Sequence, residues 1–223
     1  MKLFAYEHCP YCVRPRLVAD INKLDYELVI LENDDEKSHY DLVGKKIVPI
    51  LEKNDGVCMT ESLDICQYLD QEKGKYVFKP VLDENNIISN IEQLYAVAKK
   101  LTYPRMVYHP MNKEDFPTLA AVNYFKTKKE KSLGVTFKQA IQDSAKYQTE
   151  VQNALNDLNN QFVYQYIASD SLSQHDIIAF AYLRTLMLAN DVLNMPSRIG
   201  HYLSRVSSQT NIKLYDVYDF SKV

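Results

Sequence analysis

Cys9 and Cys12 lie three positions apart in the run Cys9-Pro10-Tyr11-Cys12, directly after a short apolar run, Leu3-Phe4-Ala5-Tyr6, and before a helix-like segment ending near Lys23. That spacing at a strand-to-helix junction puts both sulfurs on one side of a helix, one turn apart, so both can reach a single partner. Pro10 suits the first helical position, where its fixed φ and missing N–H cost nothing, and this places Cys9 at the helix N-terminus. There the free N–H groups and the positive end of the helix dipole favour thiolate, so the Cys9 pKa is expected to be lowered. Cys12 lies a turn further in, where burial keeps it protonated. Position alone therefore predicts one attacking and one resolving sulfur.

Other uses of paired cysteines fit less well. A zinc site needs four ligands, yet the chain has no second Cys-x-x-Cys pair and His8 supplies at most a third donor. A structural disulfide closing so short a loop would constrain the unfolded chain little. Redox chemistry without a metal is the expectation. Cys58, in the strand-like Val57-Cys58-Met59, and Cys66, in a helical apolar pattern, read as small core residues.

The elements that position the pair follow from the first third of the chain. Leu3–Tyr6 reads as a strand, Tyr11–Asn22 as a helix loosened by Pro15, and Tyr26–Leu31 as a buried strand. Together they make a βαβ unit with parallel strands and a right-handed crossover. Asn33–Leu42 reads as a loop and short helix ending before Gly44. A third strand, Ile47–Leu51, a turn at Asn54-Asp55-Gly56 and a fourth strand, Val57–Met59, come next. Pro49 cannot donate to a ladder, so it belongs at an edge or at a cis bond that turns the Val48 backbone toward a bound peptide. A helix from Leu63 to Glu72 is then expected, capped by Thr60 or Ser62, with free N–H groups suited to a carboxylate.

Composition limits the partners. The chain has 223 residues, 46% of them hydrophobic, and a formal charge of −3, which suits a two-domain globular protein with no general pull toward nucleic acid or anionic membrane. Lys126, Lys128, Lys129 and Lys131 read as a solvated helix end. The first apolar run is too short for a secretory core, and Ile177–Leu183 is too short to span a bilayer. A cytoplasmic protein with reduced cysteines is expected.

Three motifs in order, Cys9-Pro10-Tyr11-Cys12, Val48-Pro49 and Glu61-Ser62-x-x-Ile65-x-x-Tyr68-Leu69, resemble the glutathione-binding thioredoxin-like domain of glutaredoxins and glutathione transferases. The Cys-Pro-Tyr-Cys tetrad points to the glutaredoxin side. The remainder reads as helical, with one helix around Ile87–Leu101, a second from Pro117 toward Gly134, and a third carrying Phe137 through Phe162. Ser173-Gln174-His175-Asp176 forms a capping box before an apolar helix and resembles the box preceding the central helix of glutathione transferases. A last helix spans Ser197–Val206, and residues 209–223 read as a tail packed by Ile212, Leu214 and Tyr215. With Pro104-Arg105 and Asn194-x-Pro196-Ser197-Arg198 included, essentially the whole chain resembles the two-domain bacterial glutaredoxins.

The fold class so expected is α/β plus all-α: a thioredoxin-like domain (βαβαββα) over residues 1–74, a linker at 75–84, and a glutathione-transferase-like helical bundle over 85–223. The resemblance implies a glutathione-dependent disulfide oxidoreductase in which Cys9 attacks and Cys12 resolves. It implies glutathione as a co-substrate rather than a tightly bound cofactor, and disulfide-bearing or glutathionylated proteins as partners of a monomeric chain. Glutathione would pair with the Val48 backbone beside Pro49, pass Tyr11, and place its γ-glutamyl end at Glu61 and Ser62. Its glycyl carboxylate asks for a cation, with Lys45, Lys46 and Arg16 as candidates. Tyr6 borders the sulfurs and is assigned to packing, while His8 either supports the thiolate or faces solvent. A conjugating transferase, or a non-catalytic or iron-sulfur-bridging protein of the same fold, is the alternative.

Overall fold

A computed structural model of the chain describes residues 1–73, 86–167 and 169–220. The expected linker at 75–84, with the neighbouring Gly74, lies outside the described residues. A four-stranded sheet is ordered β2-β1-β3-β4, from β1 (Lys2–Ala5), β2 (Glu27–Ile30), β3 (Ile50–Glu52) and β4 (Cys58–Met59). β1 pairs parallel with β2 and antiparallel with β3, which pairs antiparallel with β4. The helix α1 (Pro10–Ile21) connects β1 to β2, α2 (Glu36–Val43) precedes β3, and α3 (Ser62–Lys73) follows β4. This is the expected βαβαββα order.

Local chemistry explains where these elements start and stop. Asp35 caps α2 by accepting from the Ser38 N–H, and Gly44 ends it at φ 70°, a left-handed conformation that a side chain would disfavour. β3 begins at Ile50, not Ile47, because the Ile47 carbonyl is taken by His39 Nδ1 at 2.8 Å and Pro49 has no N–H. The Val48–Pro49 bond is cis. α1 runs through Pro15 without interruption, contrary to the expected loosening, held by packing on α3. α3 begins at Ser62, so neither Thr60 nor Ser62 occupies the cap position; Glu61 does, at φ 68°.

The second half is helical: α4 (Ile87–Met106), α5 (Leu119–Leu133), α6 (Phe137–Gln142), α7 (Ser144–Gln161), α8 (Gln174–Leu186) and α9 (Ser197–Ser207). α5 starts two residues after Pro117, capped by the Thr118 side chain, and ends at Gly134. The single helix expected from Phe137 to Phe162 is two, broken at Asp143. Its apolar residues serve different interiors: Phe137 packs with Phe116 and Phe125, whereas Val151, Leu155 and Leu158 join the main core. The Ser173–Asp176 capping box forms as expected and opens α8.

α8 is the central helix. It packs on α4 and on α1, so the main core runs from Leu3, Val13 and Leu17 across to Ile177, Phe180 and Leu183. Burial of such side chains contributes roughly 1.5–3 kcal/mol each before entropy is counted. The helices thereby form a wall behind the start of α1. Among the described residues, no helix is long and apolar enough to cross a membrane.

Candidate active site

Cys9 is the N-cap residue of α1 and is half-buried, while Cys12 is fully buried beneath it. Cys9 has extended backbone geometry, and its carbonyl accepts from the N–H of Cys12 at 3.0 Å and of Val13 at 3.2 Å, which starts the helix. The Cys9 thiol is lowered to about 7. The largest cause is a hydrogen bond from the Cys12 thiol; burial opposes ionisation, and the charge of His8 and the N–H groups of Cys12 and Tyr11 favour it. The direction agrees with the expectation from the helix N-terminus, but the sulfur one turn away contributes more. Cys12 is pushed well above the usual thiol range, first by burial and then by its bond to Cys9. Cys58 is half-buried and Cys66 is buried in the core.

A cleft of about 400 Å³ opens on Cys9. Tyr11 and Val48 line it from the sheet side, Tyr95 and Tyr103 from α4, and Lys128 and Lys129 from α5. Two lysines of the expected solvated helix end therefore face the site, where Lys129 lies over the rings of Tyr103 at 4.9 Å and Phe125 at 5.4 Å. Burial, followed by the field of Lys128, lowers Lys46 to about 8. Of the three candidate cations for a glycyl carboxylate, only Lys46 lines the cleft; Lys45 is exposed and Arg16 is buried against Glu7 at 2.7 Å.

The residues flanking the sulfurs have definite partners. Tyr6 is buried, and its hydroxyl lies 2.8 Å from His39 Nε2. Because His39 Nδ1 must donate to the Ile47 carbonyl and burial lowers the His39 pKa, Nε2 is the acceptor and the Tyr6 proton is committed to it. His8 is buried rather than solvent-facing: its ring stacks on Tyr6 and Phe116, and its Nδ1 lies 2.6 Å from Asp115. Asp115 also accepts the backbone N–H groups of Glu7 at 2.8 Å and His8 at 2.9 Å.

Pro49, Glu61 and Ser62 do not line this cleft. Ser62 is joined to it through Arg14, which donates to Ser62 Oγ at 3.3 Å and lies between the rings of Tyr11 at 4.7 Å and Tyr182 at 4.9 Å. Val48 makes no backbone hydrogen bond among the described residues, so its N–H and carbonyl are open for pairing. Glu61 is a non-glycine residue in the left-handed region at the start of α3, a conformation that clusters at ligand-holding turns. Among the described residues, no group of three or more His, Cys, Asp or Glu is placed to hold a metal.

The sequence reading missed Arg14, Asp115 and the paired lysines. Asp115 sits in Lys113-Glu114-Asp115-Phe116, where nothing local separates it from a surface acid. The repeated Lys128-Lys129 beside Tyr124 and Phe125 was the available signal for a cleft wall.

The family model described as the C-terminal domain of glutaredoxin 2 matches residues 86–218, and the N-terminal domain model of glutathione S-transferases matches residues 3–76. Glutaredoxin 2 of Escherichia coli (strain K12) is 34% identical over 218 residues, covering 96% of this chain and 97% of that one. The structure of glutaredoxin 2 from Salmonella typhimurium in complex with glutathione superposes with a TM-score of 0.88 at 31% identity, covering 96% of this chain and 95% of that chain. A glutathione S-transferase from Rhodospirillum rubrum F11 superposes with a TM-score of 0.58 at 20% identity, covering 93% of this chain and 87% of its own, a likeness of fold alone.

Proposed function

The chain belongs to the glutaredoxin 2 family and is a glutathione-dependent thiol-disulfide oxidoreductase, and on that premise we propose that Cys9 is its nucleophile and Cys12 its resolving thiol. The observation that carries this assignment is the pairing of a half-buried Cys9, at the helix N-terminus and open to the cleft, with a buried Cys12 that donates to it.

Glutathione is the co-substrate. The Cys9 thiolate attacks the glutathione sulfur of a mixed disulfide; the new bond is Cys9–S–S–glutathione, and the substrate leaves as a thiolate that takes a proton. A second glutathione thiolate attacks the glutathione sulfur on Cys9, releasing oxidised glutathione and restoring the Cys9 thiolate. With a protein carrying an intramolecular disulfide, Cys9 attacks one of its sulfurs to give a mixed disulfide. Cys12 then attacks the Cys9 sulfur and releases the substrate as a dithiol, and two glutathiones reopen the Cys9–Cys12 bond and leave as oxidised glutathione. Only this second route needs Cys12. Glutathionylated and disulfide-bearing proteins are the proposed substrates.

The open backbone groups of Val48 beside Pro49 suit the cysteinyl unit of glutathione. The exposed ring of Tyr11 flanks it, and the start of α3 at Glu61 and Ser62 suits the γ-glutamyl end. The cleft position of Lys46 makes it the proposed partner of the glycyl carboxylate. A division into residues 1–74, a linker at 75–84 and residues 85–223 is proposed, supported by family models that match on either side. A monomer in the cytoplasm completes the reading.

The conjugating alternative is not favoured. A hydroxyl-activated transferase needs a hydroxyl free to hold the glutathione thiolate, whereas the Tyr6 hydroxyl is committed to His39, and Cys9 puts a thiol nucleophile of its own at the cleft. The test is glutathione-dependent reduction of the mixed disulfide of glutathione and hydroxyethanethiol. Cys9→Ser is expected to abolish turnover and Cys12→Ser to keep much of it; activity retained by Cys9→Ser refutes the assignment.

A further inference from the structure

Asp115 lies in the segment between α4 and α5, in the helical half of the molecule, yet among the described residues its side-chain hydrogen bonds go to the loop carrying Cys9. One oxygen accepts from the Glu7 N–H at 2.8 Å; the other accepts from the His8 N–H at 2.9 Å and lies 2.6 Å from His8 Nδ1. Its main-chain carbonyl accepts from the Asn33 N–H at 2.8 Å, so the same residue grips both loops at that edge of the sheet. The Asp115 side chain is fully buried and His8 nearly so. The His8 ring is clamped between Tyr6 and Phe116, at centroid distances of 5.3 and 5.1 Å, with the edge of Phe125 against it at 5.2 Å. A buried carboxylate at this distance from an imidazole fixes the orientation of the ring.

We propose that Asp115 is a positioning residue for the redox centre: it holds the His8 imidazole in place beside Cys9 and so makes the helical half of the chain set the reactivity of the sulfur. This rests on Cys9 being the nucleophile. The idea makes a prediction about sign. The field of the Asp115 carboxylate itself opposes negative charge in this region, raising both Cys12 and Tyr6. Removing that carboxylate would therefore promote ionisation of Cys9 if Asp115 acted only through its own field. Removing it suppresses ionisation if Asp115 acts through His8. A purely structural role in docking the loop has no reason to depend on the His8 ring.

The groups facing Cys9 are Cys12 from α1, Tyr6 from the end of β1, Tyr95 and Tyr103 from α4, and Lys129 from α5; His8 is faced by Asp115 and Tyr6. All remain in the variants chosen, apart from the residue exchanged. Asp115→Asn keeps an acceptor for a backbone N–H but removes the carboxylate that holds the His8 ring. His8→Phe keeps a flat ring in the stack between Tyr6 and Phe116 and removes the imidazole.

The experiment is the pH dependence of Cys9 alkylation by iodoacetamide on the intact reduced chain, with the modified cysteine identified by peptide mass. Asp115→Asn and His8→Phe are each expected to raise the Cys9 titration midpoint. Just below neutrality, each slows alkylation by roughly threefold to tenfold, since each pKa unit is about a tenfold change in thiolate fraction. In the His8→Phe background, Asp115→Asn is expected to add nothing, the mark of one residue acting through the other. A midpoint that stays or falls in Asp115→Asn, or a further rise on adding it to His8→Phe, overturns the proposal. If Asp115→Asn does not fold, His8→Phe alone decides, because an unchanged midpoint there also overturns it. Failure of the nucleophile assignment shows separately, as turnover retained by Cys9→Ser.

Discussion

Two arginines, Arg105 and Arg184, are both fully buried, yet they belong to different regions and do different things. Arg105 lies within the helical half: it pairs two-pronged with Asp191 at 2.7 and 2.6 Å and donates to Ser144 and to the Leu101 carbonyl. Arg184, on α8, crosses to the sheet half: it meets the Glu7 carboxylate at 2.5 Å and the Glu7 carbonyl at 3.2 Å, while its Nε holds the Lys213 carbonyl. Glu7, two residues before Cys9, answers with its other oxygen to Arg16 of α1. One buried ion pair is therefore internal to a helical scaffold, and the other ends on the loop that carries the nucleophile. Together with Asp115, Arg184 makes the seam between the halves part of the redox site.

The comparison breaks first on stability. Leaving a buried charge without its partner costs about 3–5 kcal/mol. Arg105→Met removes the cation paired with the partly buried Asp191 side chain and is expected to lower the unfolding free energy in urea by part of that, while Arg184→Met leaves Glu7 still paired with Arg16 and is expected to cost less. Only Arg184→Met should also alter Cys9 alkylation. Equal alkylation changes in the two variants would dissolve the distinction between scaffold and seam.

Smaller effects sharpen it. Ser62→Ala removes the acceptor that Arg14 uses and is expected to raise the KM for glutathione a few-fold, in line with about 0.5–1.5 kcal/mol for one hydrogen bond. The Cys9 titration should not move, because Ser62 makes no contact with Cys9, His8 or Asp115 among the described residues. Thr136→Ala removes the side-chain cap of α6, costs about 1 kcal/mol, and leaves both glutathione affinity and Cys9 reactivity unchanged. A changed KM in Thr136→Ala would mean that the scaffold communicates with the site more widely than these contacts indicate.

What the sequence revealed divides along the same line. Cys9, Pro10 and Cys12 announce the site because a helix N-terminus is built from adjacent residues, and Ser173 with Asp176 announces α8 for the same reason. Val48 and Pro49 were legible through the single residue that cannot donate to a strand. The break at Asp143 was not, because it depends on Phe137 and Val151 facing two different interiors. Nor were Asp115, Arg14 or Arg184 legible: their meaning lies in partners such as His8, Ser62 and Glu7, far away along the chain. Lys128 and Lys129 look like a solvated helix end until α5 is laid against the cleft.

The most direct test of the account is the ionisation of Cys9 in the intact reduced chain, followed by alkylation rate against pH. The account predicts that Cys9 reacts first, that Cys12 stays unmodified, and that the midpoint falls at about 7, so the rate drops about tenfold for each pH unit below it. A Cys9 midpoint at the ordinary thiol value near ~8.5, or modification of Cys12 ahead of Cys9, would contradict it.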